Sequence, residues 1–205
     1  NGKVYLDGAW KTGLDVLVDG DRIADIRPRG TQKEGRIVDA RGGYITPGFI
    51  DIHIHGSNGS DVMDARMSSL ENISTFLAGN GTTSWLATTM TVSIPEIKNA
   101  LHAVSDYMQD KSHKGAQILG AHLEGPFLNP LAKGAHVEEY IIPPSTESFE
   151  KITGETPDIV RLVTMAPESD GALEFARYLR TGKSPPPSAI QKPPMSSARM
   201  QWSMV

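Results

Sequence analysis

The stretch TPGFIDIHIHG, residues 46–56, joins an apolar strand to two histidines and then to a glycine. Alternate side chains of a strand share a face, so His53 and His55 should point the same way, with Cα atoms about 6.6 Å apart. Two imidazoles placed like this can bind one cation through bonds of about 2.0–2.1 Å. The alternative is a pair of surface or core histidines, because an H-x-H pair alone is weak evidence.

The segments around this stretch predict repeated βα units. Continuous apolar runs are typical of strands buried on both faces of a parallel sheet, and such runs occupy residues 44–55, 82–91, 116–124 and 159–167. Helices are predicted at residues 68–78, 95–107 and 171–179, and Ser93 with Glu96 forms a capping box for the second. We therefore expect an α/β fold, a partial (β/α)8 TIM-like barrel of about four βα units, with an open doubly wound sheet as the alternative.

A small N-terminal β-domain is expected to precede the barrel. Short strands are predicted at residues 4–6, 16–18, 23–26 and 37–38, with hairpin dipeptides at 7–8 and 19–20. The predicted domains are 1–43 for the β-domain, 44–182 for the half-barrel and 183–205 for a tail.

Composition excludes several classes of function. The chain is 39% hydrophobic with a net charge of −4, no long Lys/Arg run and no 18-residue apolar stretch. We therefore expect no nucleic-acid partner and no membrane span. The chain has no Cys and no visible secretion signal, so a cytoplasmic protein is expected, and any transition metal must be held by His and carboxylate.

A second motif, GAHLEGPF at residues 120–127, ends another apolar strand. Glu124 should lie on the same rim of the barrel as His53 and His55, where parallel barrels carry their active sites. A carboxylate is costly to bury without a positive partner, and a metal ion supplies one. His122 is a candidate for contacting a ligand or the substrate. The alternative for both residues is a satisfied polar rim.

A third candidate is His136, in the segment KGAH of a loop after the third barrel strand. A loop histidine beside a metal can polarise a carbonyl or bind a substrate oxygen, although by itself it could be an exposed histidine. We assign no role to His102 and His113.

Taken together, these motifs resemble the N-acetylglucosamine-6-phosphate deacetylases of the amidohydrolase superfamily. The resemblance spans about residues 3–180 and is carried by YITPGFIDIHIHG at 44–56, TT at 82–83, HLEGPF at 122–127, KGAH at 133–136 and APE at 166–168. It implies a distorted (β/α)8 barrel and hydrolysis of the acetamide of a phosphorylated amino sugar. It also implies that Glu124 binds a divalent metal, that His53 and His55 serve a second metal in some members, and that His136 contacts the N-acetyl group.

The same resemblance implies a mechanism and an assembly. The metal acidifies water and polarises the amide carbonyl, while an Asp at the end of a later strand acts as general base and then general acid. Zinc is the first expectation, and Fe, Mn and Co suit the same donors. The full-length form is expected to be a homodimer.

Residues 183–205 depart from the family's pattern. This tail holds five Pro, three Met and five Ser, whereas all 20 Gly and all 24 acidic residues precede it. Two further metal-binding His and the catalytic Asp are expected after residue 180 and do not follow, so the chain as written is expected to be inactive. A disordered tail is the default interpretation. A reading-frame shift is the alternative hypothesis, since residues 188–190 and 202–205 can be re-read by one nucleotide to give Ile-Gly-His and Val-Glu-His-Gly.

Two other functions stay open. A dihydroorotase-like amidohydrolase would share the first motif, but it gives no account of residues 122–127 and often uses a carboxylated Lys where this chain has Glu124. A non-catalytic, truncated metal-binding or structural chain is the third reading.

Overall fold

A computed structural model of the chain describes residues 2–20, 22–31, 35–110, 112–181, 190–191 and 202–204. The chain divides into two compact units, Asn1–Gly48 and Phe49–Val205. Within the described residues, no helix has both the length and the apolar character needed to cross a membrane. The predicted domain boundaries at 43/44 and 182/183 stay predictions.

The first unit is built from short strands. They are β1 (Lys3–Leu6), β2 (Ala9–Lys11), β3 (Leu14–Asp19), β4 (Arg22–Pro28) and β5 (Tyr44–Ile45). β1 lies between antiparallel β2 and parallel β5, and β3 pairs with β4 as a hairpin. Asp7 and Gly8 form the turn of the first hairpin. Their φ angles of 54° and 77° are the left-handed conformation expected of such a dipeptide.

One prediction for this unit was wrong, and one strand was not predicted. Residues 37–38 form no strand, and Ile37 and Val38 are exposed, so their apolar character is not used in a sheet. The three-residue strand β2 was missed because it has no alternating pattern.

The second unit carries the barrel strands and their helices. In chain order its elements are β6 (Phe49–Ile54), β7 (Gly56–Ser57), β8 (Ser60–Asp61), α1 (Met67–Gly79), β9 (Thr82–Thr88), α2 (Ile94–Gln109), β10 (Gln117–Glu124), α3 (Thr146–Thr153), β11 (Val160–Met165), α4 (Ala172–Thr181), β12 (Ile190–Gln191) and β13 (Trp202–Met204).

Strands β6, β9, β10 and β11 are parallel neighbours in that order, and each is followed by one of the four α-helices. This arrangement is the first half of a (β/α)8 barrel, and it confirms the predicted fold class. The predicted capping box is present, since the backbone N–H of Ser93 donates to Oε2 of Glu96 over 3.2 Å. Because parallel strands end on one edge, β6 and β10 bring their last residues to the same rim.

Apolar faces of the helices cover one side of this sheet. Trp85 of β9 is fully buried and packs with residues of α1 and α2, and its indole N–H donates to Ser74 Oγ over 3.1 Å. A second cluster joins α2 to β10, with Leu101 and Leu123 both fully buried. These two clusters pack β9 and β10 against the helices behind the rim.

The predicted strand at 44–55 is in fact two strands. Tyr44–Ile45 pairs with β1, whereas Phe49–Ile54 pairs with β9, because the Pro47-Gly48 segment interrupts the strand between them. Helix α3 was missed, since it is only 8 residues long within an otherwise irregular connection.

Part of the tail also differs from expectation. β13 adds antiparallel to β11, and β12 pairs with β13, so these five residues depart from the default interpretation of a disordered tail. An open sheet edge offers backbone groups to a strand of almost any sequence. The rest of the tail lies outside the described residues, and the frame-shift hypothesis stays a prediction.

Candidate metal centre

The end of β6 does not follow a regular ladder. Asp51 is opposite Trp85 and Ile54 is opposite Ala87, so a three-residue step on β6 meets a two-residue step on β9. One extra residue of this kind is a bulge, which bends a strand and re-aims its side chains.

The bulge and the rim of β10 bring three predicted residues together. Nε2 of His53 and Nε2 of His55 each lie 2.9 Å from Oε2 of Glu124. One donor atom from each residue lies within 4.8 Å of the others. The sequence-predicted metal ligands therefore form a cluster, which we call the HHE triad.

Charge in the HHE triad is concentrated on Glu124. Burial by itself would raise the pKa of Glu124, but hydrogen bonds from His55 and His53 and their positive charge outweigh burial and lower the pKa to about 2. The hydrogen bond to Glu124 in turn raises the pKa of His55. Glu124 is therefore an anion beside two imidazole nitrogens.

These donors fit a divalent transition metal. Two imidazole nitrogens and one carboxylate oxygen are the donor types of zinc sites that keep a position open for water or substrate, and Fe, Mn and Co accept them as well. The closeness of the three donor atoms within one cluster supports the same conclusion.

His122 lies beside the HHE triad, but its ring nitrogens face threonine side chains and not the triad. Its ring is 4.7 Å from that of His53, centroid to centroid, while its Nε2 is 2.7 Å from Thr164 Oγ1 and its Nδ1 is 3.3 Å from Thr88 Oγ1. Burial, followed by the nearby charge of His53, lowers the pKa of His122 to about 3. His122 is therefore neutral, with both ring nitrogens facing threonine hydroxyls.

His136 lies in the loop after β10. The backbone N–H of His136 donates to the carbonyl of Lys133 over 3.1 Å, and Lys133 Nζ donates back to the carbonyl of His136 over 3.2 Å. Burial lowers the pKa of His136, and the charge of Glu124 opposes that effect. Nδ1 of His136 is buried and has no hydrogen-bond partner among the described residues. The loop thus holds a neutral imidazole close enough to the HHE triad to be influenced by its charge.

The turn after Glu124 depends on glycine. Gly125 has φ +72, and a Cβ there would collide with the side chain of Thr91. A residue with a side chain would have to move Thr91 or the end of β10, and Glu124 would move with it.

Two histidines lie outside the site. His102 lies within α2, and His113 follows α2, with Nδ1 2.6 Å from Oε2 of Glu71 and its ring stacked on Tyr107. Neither belongs to the HHE triad.

Three residues near the site were missed from the sequence. Asp51, Thr88 and Thr164 bond to the bulge or to His122. The available signal was their polar character at the ends of otherwise apolar strands, which by itself does not show what they contact.

Comparison with known proteins agrees with this geometry. Residues 44–178 match the family model described as the amidohydrolase family. The chain is 44% identical over 138 residues to the N-acetylglucosamine-6-phosphate deacetylase of Bacillus subtilis, covering 66% of this chain and 35% of that protein. It is 36% identical over 178 residues to the N-acetylgalactosamine-6-phosphate deacetylase of Escherichia coli O157:H7, covering 87% of this chain and 46% of that protein.

A solved structure of similar fold agrees with these sequence matches. The crystal structure of N-acetylglucosamine-6-phosphate deacetylase from Pasteurella multocida superposes with a TM-score of 0.70 at 30% identity, over 88% of this chain and 46% of that chain. The chain therefore spans less than half the length of these relatives.

Proposed function

The chain belongs to the amidohydrolase family, and from that premise we propose that it forms the N-terminal part of a metal-dependent N-acetylglucosamine-6-phosphate deacetylase. The observation that carries the proposal is the HHE triad, in which two strands far apart in sequence bring His53, His55 and Glu124 to one rim. The relatives named as deacetylases of phosphorylated amino sugars support the choice of reaction.

His53, His55 and Glu124 would hold the metal, with zinc as the first candidate. When bound there, a divalent cation supplies Lewis-acid chemistry to a linear amide. Glu124 provides the negative charge that keeps the cation in place, and the ring nitrogens of His53 and His55 supply the remaining donors. His136 would donate a hydrogen bond to the acetamide oxygen of the substrate and so orient the carbonyl.

No residue of this chain is assigned the role of general base. The resemblance assigns that role to an Asp on a later barrel strand. It also implies two further metal-binding His after residue 180. We therefore propose that the 205-residue chain binds metal but has little or no deacetylase activity by itself. By the same resemblance, the full-length form would act in the cytoplasm as a homodimer.

The proposal is tested by metal analysis and by acetate release. The 205-residue chain and a longer form with the reading frame restored after residue 182 would be assayed against N-acetylglucosamine 6-phosphate, N-acetylgalactosamine 6-phosphate and dihydroorotate. We expect about one metal in the short chain and acetate release only by the longer form. Activity on dihydroorotate alone would overturn the deacetylase assignment, and absence of metal from both forms would overturn the metal centre.

A further inference from the structure

The bulge of β6 frees backbone N–H groups from the sheet ladder, and side chains accept them. The N–H of His53 donates to Oδ1 of Asp51 over 3.0 Å. The N–H of Ile54, the residue between the two histidines, donates to the hydroxyl of Thr88 over 3.0 Å. The Ile54 bond is partly buried, and a shielded N–H without a partner is costly, so Thr88 stabilises the bulged conformation against a regular strand. The His53 bond to Asp51 is exposed, so water can replace Asp51 and this bond contributes less.

Thr88 belongs to a row of hydrogen-bonded side chains. Its Oγ1 lies 3.3 Å from Nδ1 of His122, and Nε2 of His122 lies 2.7 Å from Oγ1 of Thr164. The three side chains come from adjacent strands β9, β10 and β11, and their exposed fractions are 0%, 1% and 4%. A hydrogen-bonded row therefore runs across the sheet directly beneath the rim and ends on the backbone of β6.

Donors and acceptors along this row can be matched from one end to the other. A neutral imidazole has one donor nitrogen and one acceptor nitrogen. In the tautomer that carries Nε2–H, His122 donates to Thr164 and its Nδ1 accepts from the Thr88 hydroxyl, which also has the carbonyl of Leu86 within 3.4 Å. With either acceptor, the oxygen of Thr88 stays available to accept from Ile54. His122 and the carbonyl of Leu86 thus hold the Thr88 hydroxyl with its oxygen facing the Ile54 N–H of β6.

From this geometry we propose that Thr88 is a positioning residue: its hydroxyl, oriented by His122 and Thr164, holds the β6 bulge that aims His53 and His55 at Glu124. The expected effect of Thr88 on metal affinity rests on the proposed metal site. Outer contacts that orient metal ligands typically change metal affinity by about 10–100-fold when they are removed.

The first test is metal affinity. Thr88→Val keeps the shape of the side chain and removes the hydroxyl, so we expect zinc affinity, measured by competition with a chromophoric chelator, to fall by about 10–100-fold. Thr88→Ser keeps the hydroxyl, so affinity should stay within about 3-fold of the parent chain, a smaller change than the loss expected for Thr88→Val. Thr153→Val is the matched control, because Thr153 is also fully buried and its hydroxyl donates to the carbonyl of Phe149 over 2.9 Å within α3.

The second test needs no metal. Hydrogen exchange of the Ile54 amide, followed by NMR, should accelerate by at least about 10-fold in Thr88→Val and stay unchanged in Thr153→Val, because only the first variant removes its acceptor. If Thr88→Val does not fold, Thr164→Val carries the same test from the far end of the row, with a smaller expected change in the same direction.

The outcomes separate this inference from the proposed function. Unchanged zinc affinity together with unchanged Ile54 exchange in Thr88→Val would overturn the role of Thr88. A parent chain that binds no zinc would overturn the proposed metal site, and the exchange measurement would then decide by itself whether Thr88 holds the bulge.

Discussion

Nε2 of His55 lies 2.9 Å from Oε2 of Glu124, although the two residues are 69 positions apart in the chain (124 − 55). The contact joins the end of β6 to the end of β10, with β9 lying between them in the sheet. A short contact across an intervening strand requires both side chains to project from the rim towards a common point. That common point is where we expect a cation.

Glu124→Gln tests the anionic member of the HHE triad. The amide has the same shape but no charge, so metal affinity should fall by more than the 10–100-fold that removal of an outer contact costs. Metal content after dialysis is the measurement. Glu71→Gln is the matched control, because Glu71 pairs with His113 outside the triad. Full metal retention in Glu124→Gln would remove Glu124 from the ligand set.

Zinc should stabilise the folded chain. A ligand present at 100 times its Kd contributes about 2.7 kcal/mol. For a chain of this length each kcal/mol shifts Tm by about 2–4 °C, so a rise of about 5–10 °C is expected in thermal unfolding. The double variant His53→Ala with His55→Ala should lose the rise. Magnesium should give a much smaller effect, since it prefers oxygen ligands in octahedral geometry. A zinc-induced rise that survives the double substitution would place the binding site elsewhere.

The edge strand β6 should make the isolated chain self-associate. Among the described strands β6 pairs with β9 alone, and Phe49, Ile50 and Ile52 are 66%, 61% and 42% exposed. An apolar strand with an open edge is a template for pairing with another chain. Sedimentation velocity should therefore show concentration-dependent association, and Ile50→Lys should reduce it.

The matched control for the edge is Ile23→Lys. Ile23 is 64% exposed on β4 of the first unit, so the same change of residue type is made outside the barrel. We expect association to be unaffected there. A chain that stays monomeric at high concentration and unfolds in two states would contradict this prediction.

Leu101→Ala should destabilise the second unit by about 2–5 kcal/mol, because Leu101 is fully buried between α2 and β10 and truncation leaves a cavity. Leu173→Ala should change stability by less than about 0.5 kcal/mol, since Leu173 is 66% exposed. Urea unfolding monitored by Trp fluorescence, at a concentration low enough to suppress association, measures both. Equal effects of the two substitutions would contradict the packing of α2 against β10.

Local signals in the sequence accounted for much of the fold. Continuous apolar runs and a capping box identified the four barrel strands and three of the four helices within a few residues. Errors arose where local pattern and pairing disagreed. Ile37 and Val38 are apolar but form no strand, and the strand predicted at 44–55 is divided between two sheets. Pairing depends on partners distant in sequence, and a single run of residues does not specify them.

The sequence by itself determined which residues could serve as ligands and that they would share one rim, because parallel strands end on the same edge and His53, His55 and Glu124 are strand-end residues. Only the tertiary structure decided how they are aimed. The β6 bulge depends on its register with β9, and Ile54 is held by Thr88, 34 residues later in the chain. Such an anchor arises from side-by-side packing of strands, so no local spacing in the sequence predicts it.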